Sequence, residues 1–600
     1  MPAATVSEEQ DRWEAFAALP EDARRAHERP SRARRVLRRL LDGEILAAML
    51  LSLAAAAAYT WPLALKIKEG VPSDLGDPML QTYTLGWLSH AAGEGENLFD
   101  TNTLWPAQDS LLFSDTLLGY LPAALFARDQ ASAIVVYNVL FILAFALAAF
   151  GGYVLLRQLG ARVAGSAVGA AVFAFAPWKI SQFGHLQVLS CGAIALSLAM
   201  LARGHGWSLR HGFKPERQRP LWIILGWLTA LWQFSIGAGL GVPFVYLLMI
   251  LGLIALAGWS VKRHRLKWGT IAANVLGGAV FSFAVLWLAD KHMAVSASRP
   301  EAERSWEYVR HFSPAWQSFI ISPEDARYWG EAHAPAREAL TWPPEQTLLV
   351  GFTAIALGLM GLVWSAWSRR IRLVLGLVLA ALVALAMGPN FLDGGRWAWG
   401  LLYEYAPGFD AIRTPGRLVL YISLVLAILA AGTVTRLADR ADRLAHDNRV
   451  DTRSAAKAPR RVHALLFLPL ALIAVESAPV LEVHSPPVSP VAFSELEGPV
   501  LVLPAGGHDG VVQFWSLDGF PETANGITAF TPSEYSAVKT ASLGFPEAES
   551  VEELRSLGVS TVLVVPSWLP GTEWASIDVD APPLGVDVER VGGAAVYSLG

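Results

Sequence analysis

Long apolar stretches recur along most of the chain, and each is about as long as a helix that crosses a bilayer. A transmembrane helix needs about 20 mostly apolar residues. Such windows lie near 45–65, 132–156, 163–181, 186–203, 220–237, 239–258, 268–289, 347–367, 371–388, 416–436 and 462–479. The pattern predicts a membrane all-α fold, a polytopic helical bundle of about eleven transmembrane helices.

The basic residues between these windows predict how the bundle is oriented, because positively charged loops remain in the cytoplasm. Most of the 47 Lys and Arg residues fall in segments that eleven spans would put on one side: 24–39, 157–162, 203–219, 262–267, 369–372 and 436–461. We therefore expect a cytoplasmic N-terminus and an extracytoplasmic C-terminus. One missed helix would invert every later loop, so the agreement among the loops supports an odd number of spans.

Two long loops, 66–131 and 290–346, and the tail are expected on the outer side. The tail differs in composition, because a Pro-rich stretch is followed by short strand-like runs at 499–504 and 559–566 with helical patterns between them. We predict three parts for the chain: a basic cytoplasmic segment over 1–44, a transmembrane core over 45–480, and an extracytoplasmic α/β domain over 481–600.

Composition agrees with a membrane protein and excludes several functions. The chain is 53% hydrophobic and 16% charged, with a mean hydropathy of +0.38, whereas about a quarter of a soluble chain is charged. A net charge of -5 gives no reason to expect nucleic acid. The single cysteine, Cys191, excludes paired-thiolate metal sites and is interpreted as packing. Without a GxxxxGK[ST] or HExxH motif, reactivity must come with the substrate. The bias towards Arg and Ala is typical of a high-GC bacterial genome, so for a chain with this many spans we expect the bacterial cytoplasmic membrane.

Two carboxylates three residues apart, Asp74 and Asp77, follow the first window. They are placed to bind a metal, hold a substrate hydroxyl or act as a base. Asp77 also precedes Pro78, which is typical of a helix N-cap followed by proline at the first helical position. Spacing alone favours capping, but a cap residue can still expose one carboxylate oxygen.

Two ionisable residues, Lys179 and His185, lie at the expected outer ends of the third and fourth windows. Such groups are either functional or extend to the interface by snorkelling. For Lys179 we favour snorkelling. For His185 a hydrogen bond within the bundle and a role facing a ligand remain equally open.

The segment 407–417 (PGFDAIRTPGR) places Arg413 and Arg417 at the outer start of the tenth window. Cations on this side oppose the charge asymmetry and indicate an anionic partner such as phosphate or a carboxylate. Anchoring to lipid headgroups is an equal alternative for Arg417 and a weaker one for Arg413. Glu345, in the loop 290–346, is a candidate by location only.

The topology and four segments carry a family resemblance. The segments are 105–115 (WPAQDSLLFSD), 175–187 (FAPWKISQFGHLQ), 407–417 (PGFDAIRTPGR) and 514–535 (FWSLDGFPETANGITAFTPSEY). The chain resembles the GT-C superfamily of polytopic membrane glycosyltransferases, which combine a cytoplasmic N-terminus, an acidic first outside loop and often a soluble C-terminal domain. More narrowly, it resembles bacterial membrane proteins described as YfhO-like or glycosyltransferase 39-like.

The resemblance implies transfer of a sugar from a polyprenyl-phosphate donor, drawn from the membrane lipids, to an acceptor at the outer face. The acceptor would be a glycan, a lipid or a protein. Asp77, with Asp74, would activate or orient the acceptor hydroxyl. The substrate-binding cations that meet the donor phosphate would be Arg413, Arg417, Lys179 and His185. Some members need a divalent metal, but the acidic cluster here is sparse, so we expect no metal and no other cofactor.

Two other classes of function stay open. A lipid or glycan transporter or flippase would place ionisable groups near the middle of several spans, and we find few. A non-catalytic cell-envelope assembly protein would use the tail for binding and leave Asp77 as a helix cap only.

Overall fold

The computed structural model describes residues 43–262, 266–447, 464–579 and 585–600. The predicted cytoplasmic segment 1–44 therefore lies almost wholly outside the described residues. The chain divides into two units, Met1–Leu51 and Ser52–Gly600. Of the first unit the structure describes the beginning of one helix, and everything below concerns the second.

Each of the eleven apolar windows contains a helix. The helices are α1 (Gly43–Tyr59), α3 (Gln130–Leu159), α4 (Val163–Ala174), α5 (Gly192–Gly204), α6 (Pro220–Ile236), α7 (Ala238–Lys262), α8 (Trp268–Ser298), α9 (Phe352–Val363), α10 (Arg369–Ala386), α11 (Val419–Asp447) and α12 (Leu468–Glu476), while α2 (Asp77–Glu94) lies in the first long loop. Within the described residues, five segments are long and apolar enough to cross a membrane: Gln130–Leu159, Leu186–Gly204, Ala238–Val261, Trp268–Ser298 and Pro415–Leu444. The helical bundle is confirmed, and the number of helices that cross the bilayer stays a prediction.

The helices differ in how much of their apolar surface the protein itself covers. In Pro415–Leu444, 94% of an apolar 18-residue window is buried, whereas in Trp268–Ser298 only 22% of such a window is buried. Small residues allow the central helices to approach closely: a Cβ on Gly151 of α3 would lie 2.5 Å from the carbonyl oxygen of Gly192 at the start of α5. Close contact through glycine is how helices pack when lipid removes the hydrophobic drive between them. Helices at the periphery of the bundle, such as Trp268–Ser298, therefore keep apolar side chains on the surface that would face the bilayer.

The loops meet in two groups at opposite ends of the bundle. Among segments predicted outside, strand β1 (Val71–Pro72) pairs with β4 (Val483–His484), and Arg299 binds Glu534 through two hydrogen bonds of 2.8 and 2.9 Å. Among segments predicted inside, Arg162 and Arg210 bind Asp439 at 2.8 and 2.6 Å. This grouping agrees with the predicted topology, and the orientation relative to the cytoplasm stays a prediction.

The tail contains the α/β structure that the strand-like runs indicate. Strand β5 (Val500–Leu503) pairs in parallel with β6 (Thr561–Val564), and antiparallel strands β8 (Ala594–Ser598) and β7 (Asp587–Val591) follow in the order β5-β6-β8-β7. A separate short hairpin in the region 203–219 has strands β2 (Trp207–Ser208) and β3 (Gly212–Phe213). Helices α13 (Asp509–Trp515), α14 (Ser533–Ala541) and α15 (Ala548–Ser556) connect the first two tail strands. The domain limits 481–600 remain a prediction.

The first outside loop extends the tail sheet beyond β5. Thr523 forms parallel bridges with Val500 of β5 on one side and with Thr103 of the loop on the other. Asn102 adds two hydrogen bonds, because its carbonyl accepts from the Thr523 amide at 2.7 Å and its side chain donates to the Pro521 carbonyl at 2.9 Å. The tail therefore sits directly on the loop that carries the two predicted catalytic carboxylates.

Candidate functional site

Asp77 is the first residue of α2, and its side chain does not cap that helix. Gly76 occupies the N-cap position, and no side chain caps the helix there. Instead, Oδ1 of Asp74 accepts a hydrogen bond from the Gly76 amide at 2.7 Å. The capping interpretation of Asp77 is therefore wrong, because the turn formed by Asp74 satisfies the backbone and leaves the Asp77 carboxylate available for other contacts.

That carboxylate lies against His185, from the turn between the third and fourth windows. Oδ2 of Asp77 is 3.0 Å from Nε2 of His185, and the two side chains are 44% and 17% exposed. Because a carboxylate accepts only, Nε2 must carry the hydrogen. The other ring nitrogen, Nδ1, is buried and has no hydrogen-bond partner among the described atoms. The structure thus joins two predicted site residues from distant segments.

Gln81, one turn further along α2, fixes the backbone on which His185 stands. Its side chain is buried. The amide nitrogen donates to the Gly184 carbonyl at 3.0 Å and to Oε1 of Gln187 at 2.9 Å, and the amide oxygen accepts from the Leu186 amide at 2.8 Å. These bonds bracket His185 on both sides. The sequence analysis missed Gln81, and spacing alone carries no signal for a contact between segments so far apart.

Arg417 is held by a carboxylate of the chain rather than by lipid headgroups. Nε and Nη2 of Arg417 donate to the two oxygens of Glu345 at 3.2 and 2.5 Å, and these side chains are 13% and 6% exposed. The headgroup alternative for Arg417 is therefore wrong. Burial would raise the pKa of Glu345, but the charge and hydrogen bond of Arg417 outweigh it and hold that pKa below its ordinary value.

The electrostatics connect these groups into one site. Burial would raise the pKa of Asp77, but the hydrogen bond and charge of His185 together with the charges of Arg417 and Arg413 bring that pKa below its ordinary value. Asp77 is therefore ionised at neutral pH. An ionised carboxylate, half exposed and held by histidine, can accept a proton or a hydrogen bond from a substrate hydroxyl.

Arg413 belongs to a cluster of cations and aromatic rings on the loops predicted to lie outside. Its Nη1 donates to the Tyr308 hydroxyl at 3.2 Å, and its guanidinium lies 5.1 Å above the Phe312 ring. The guanidinium of Arg304 lies over the Tyr308 ring, 5.5 Å from its centre, and donates to the Ala529 carbonyl at 2.8 Å.

Neither guanidinium has a carboxylate within ion-pair distance in the part of the chain that the structure describes. Burial, and then the like charge of Arg413, hold the pKa of Arg304 below its ordinary value. Two cations that repel each other without a carboxylate between them are suited to an anion. Arg304 was not among the residues predicted from the sequence. The same signal that singles out Arg413 applies to it, because a cation in a loop predicted outside opposes the charge asymmetry.

Lys179 lies in a separate cluster. It is 0% exposed, its Nζ is 3.2 Å from Sγ of Cys191, and it lies over the rings of Phe145, Phe173 and Trp178 at 5.9, 5.2 and 5.7 Å. The snorkelling interpretation is wrong, because the ammonium points into an aromatic pocket that stabilises it by cation–π contact. The structure does not bring Lys179 together with Asp77 and His185.

Among the described residues no group of three or more His, Cys, Asp and Glu side chains is placed to hold a metal ion. Asp74 and Asp77 are the nearest to such a group, and each already has a polar partner, the Gly76 amide and His185. The expectation that no metal is needed stays a prediction.

Comparisons with known proteins identify the fold. No protein-family model and no curated protein matches the sequence. Among solved structures, the arabinofuranosyltransferase AftD from Mycobacteria is 14% identical at a TM-score of 0.50, over 93% of this chain and 41% of that chain. The oligosaccharyltransferase AglB from Archaeoglobus fulgidus, with an inhibitory peptide and a dolichol-phosphate, is 13% identical at 0.43, over 88% and 69%. ArnT from Cupriavidus metallidurans, bound to undecaprenyl phosphate, is 14% identical at 0.34, over 92% and 98%. The likeness to the arabinofuranosyltransferase confirms the predicted GT-C-like fold.

Proposed function

We propose, from the premise that the chain has a GT-C-like fold, that it is a membrane glycosyltransferase. It transfers a sugar from a polyprenyl-phosphate donor to an acceptor at the outer face of a bacterial cytoplasmic membrane. The observation that carries the proposal is that the charge of Arg413 acts on the Asp77 carboxylate, which is paired with His185. Arg413 contacts Tyr308, as Arg304 does, and neither arginine has a carboxylate partner among the described residues. The fold supports the reaction class, because the matched arabinofuranosyltransferase is named for sugar transfer.

In this reaction the acceptor oxygen forms a bond to the anomeric carbon while the bond from that carbon to the phosphate oxygen breaks. The phosphate leaves with the bonding electron pair, so negative charge grows on the leaving group. The acceptor proton passes to the Asp77 carboxylate, whose pKa is low in the resting site and which His185 holds in place. Asp74, bound to the Gly76 amide, shapes the turn that presents Asp77.

The growing phosphate charge is met by guanidinium groups. Arg413 donates to the Tyr308 hydroxyl and Arg304 lies over the Tyr308 ring, and both guanidiniums have the planar donor geometry that phosphate accepts. Arg417 is already bound by Glu345, so in this proposal it adds positive charge and holds the loop 290–346 rather than binding phosphate directly. Lys179 lies in the aromatic pocket and takes no part in the proposed reaction.

A transfer assay tests this function. Purified protein in lipid vesicles is given a panel of polyprenyl-phosphate sugars carrying arabinose, mannose, glucose, galactose or N-acetylglucosamine, with a cell-envelope fraction as the source of acceptors. We expect one donor to be converted to free polyprenyl phosphate with its sugar on an acceptor, and Asp77→Asn to abolish this. Asp587→Asn, at an exposed position of β7, is the matched control. Failure of every donor, or full activity of the Asp77 variant, contradicts the proposal.

A further inference from the structure

The edge of the tail sheet at which β5 and β6 end has the features of a binding site. The two strands are parallel, so the segments that follow them, 504–508 and 565–568, leave the sheet at the same edge. In open α/β sheets, ligands bind outside the carboxyl ends of parallel strands. None of the catalytic residues proposed above comes from this edge.

A stack of three rings rises from the core to this edge. Trp515 is buried and donates from its indole nitrogen to the Pro487 carbonyl at 2.8 Å. Trp568 lies parallel to it at 5.0 Å, and His508 lies parallel to Trp568 at 4.1 Å. Because His508 is exposed and Trp568 is half-buried, the stack ends at the surface in a flat ring face whose position is fixed from below.

The loop beneath this ring face is held in one conformation by a buried carboxylate. Asp509 is 2% exposed and accepts hydrogen bonds from the Gly506 amide and from Nδ2 of Asn525, both at 2.9 Å, and from the Tyr535 hydroxyl. Gly506 has a φ of +119°, a backbone conformation that favours glycine. Burying a carboxylate is costly unless it is fully hydrogen-bonded, and these bonds give a preformed loop.

Hydrogen-bond donors surround the same ring face. A Cβ on Gly506 would lie 3.3 Å from Nζ of Lys539, so the ammonium reaches over the loop. The backbone amides of Gly507 and His508 donate to no acceptor within the described ranges, and both residues are exposed. The Asp509 carboxylate is fully used in holding the loop. The edge thus offers one aromatic face and several donors.

This edge adjoins the turn that carries Asp74 and Asp77. A Cβ on Gly510, the second residue of α13, would lie 3.2 Å from the carbonyl oxygens of both Leu75 and Gly76. Further along α2, Gly86 lies against Leu517, two residues after the end of α13, since a Cβ on Gly86 would lie 2.6 Å from a Leu517 methyl group. The first turn of α13, which directly follows the 505–508 loop, is therefore in contact with the turn that presents the Asp77 carboxylate.

We propose that this tail edge, formed by His508, Trp568, Lys539 and the 505–508 loop, binds a saccharide of the acceptor. This inference rests on the proposed function and specifies its acceptor, because among glycan, lipid and protein acceptors a saccharide site selects a glycan. An apolar face of a sugar ring stacks on the exposed imidazole, and its hydroxyl oxygens accept from Lys539 and the free amides. The contact with the Leu75–Gly76 turn brings the next sugar hydroxyl towards Asp77.

Direct binding tests this inference separately from catalysis. The full-length protein in detergent is applied, without any donor, to an array of oligosaccharides of glucose, mannose, galactose, arabinose, rhamnose and N-acetylglucosamine. We expect at least one oligosaccharide to bind, and the double variant His508→Ala/Lys539→Ala to reduce its affinity at least tenfold. His484→Ala, which changes a tail histidine of β4 whose side chain is 40% exposed and which lies outside the 505–508 loop, is the matched control and should bind as the unmodified protein does.

The outcomes for binding and transfer are distinct. Binding that the double variant loses, with transfer absent, supports the saccharide site and contradicts the proposed reaction. If transfer occurs, the double variant should raise the KM for the glycan acceptor at least tenfold while the KM for the donor stays unchanged. The saccharide site is overturned if the protein binds no oligosaccharide. It is also overturned if the double variant has the same oligosaccharide affinity and the same acceptor KM as the unmodified protein. Melting temperatures of the variants equal to that of the unmodified protein show that these losses do not come from unfolding.

Discussion

Asp77 and His185 come from different outer segments, and Oδ2 of the first lies 3.0 Å from Nε2 of the second. The contact exists because two local arrangements coincide. Asp74 satisfies the turn before α2, which leaves the Asp77 carboxylate without a capping role. Gln81 binds the backbone around Gly184 and Leu186 and so presents the imidazole to that carboxylate. A pair arranged in this way is preorganised for proton transfer.

The first prediction concerns the charge of Asp77. Asp77→Asn keeps the size and hydrogen bonding of the side chain but removes its ability to accept a proton. Because general base catalysis contributes about 10²- to 10⁴-fold, we expect kcat to fall at least 100-fold for both Asp77→Asn and Asp77→Ala. Both should lower the melting temperature only by what the ionised carboxylate gains from His185 and the arginines, since no helix cap is lost.

Transfer assays and thermal melts on the same preparations separate charge from capping. If Asp77→Asn were fully active and Asp77→Ala both inactive and less stable, the role of Asp77 would be capping after all. Asp587→Asn should change neither quantity.

The helical bundle and the tail strands could be predicted because they depend on local pattern. Apolar windows of membrane length and the β-branched runs that became β5 and β6 are properties of neighbouring residues. Asp77 and Arg413 could be singled out because a charge at an outer helix end needs an explanation of its own.

The contacts that build the site could not be predicted, because they join distant segments. Gln81 looks like any polar residue of a surface helix until Gly184 and Leu186 are placed against it. Arg417 could not be assigned to Glu345 rather than to lipid without the packing of the loop 290–346. The surroundings of Lys179 could be predicted only in part, because Phe173 and Trp178 are close to it in sequence whereas Phe145 comes from another helix.

The second prediction is that Gln81 acts by positioning His185. Gln81→Leu removes three hydrogen bonds and leaves the Leu186 amide and Gly184 carbonyl buried without these partners, a loss of about 1–3 kcal/mol each at most. We expect kcat to fall about tenfold or more while the KM for the donor is unchanged.

Gln81→Glu provides the comparison, because its carboxylate still accepts from the Leu186 amide but cannot donate to the Gly184 carbonyl. Its kcat should lie between those of the unmodified protein and Gln81→Leu. An increase in donor KM with constant kcat in Gln81→Leu would contradict a positioning role.

The third prediction concerns the proposed phosphate ligands. Arg413→Gln and Arg304→Gln each remove a guanidinium that has no carboxylate partner among the described residues, so we expect no loss of stability from a broken ion pair. The KM for the polyprenyl-phosphate sugar should rise at least tenfold in each, and less in Arg413→Lys, which keeps the charge but not the planar fork. The measurement is a donor titration at saturating acceptor.

Arg396→Gln, at an exposed outer arginine stacked on Trp397, is the control for surface charge. If it raised the donor KM as much as Arg413→Gln, the effect would be general attraction of the anionic lipid rather than a phosphate site. Inorganic phosphate should compete with the donor in the unmodified protein and so raise its apparent donor KM. This effect of phosphate should be weaker in the Arg413 and Arg304 variants, because they have lost the groups that phosphate would bind.

The fourth prediction is that the buried pair of Glu345 and Arg417 supports structure before catalysis. Glu345→Gln leaves a guanidinium that is 13% exposed without its counter-ion, and breaking a buried pair costs about 3–5 kcal/mol. We expect a lower melting temperature in Glu345→Gln. The double variant Glu345→Gln/Arg417→Met should recover much of the loss, because it removes the stranded charge. A double variant no more stable than Glu345→Gln would contradict this account.

The last prediction follows from the lowered pKa of Asp77. A carboxyl group whose folded pKa lies below the ordinary value of an aspartate is still ionised at the pH where a free aspartate is half protonated. Activity that needs the carboxylate should therefore persist into the acid range in which a free aspartate titrates, and be lost only as the pH falls through the lowered pKa of Asp77. The stability that Asp77 gains from its partners depends on pH in the same direction as the activity. It is fully present above the unfolded pKa of Asp77 and is lost as the pH falls through the folded pKa.

In His185→Ala the hydrogen bond and charge that lower the pKa of Asp77 are gone while the effect of burial remains, so the acid limb of kcat should move to higher pH. His185→Gln, which can still donate to Asp77, should move it less, and His484→Ala should not move it. The profiles are measured on normalised rates, and an acid limb in His185→Ala that coincides with that of the unmodified protein would show that Asp77 is not the group whose protonation stops the reaction.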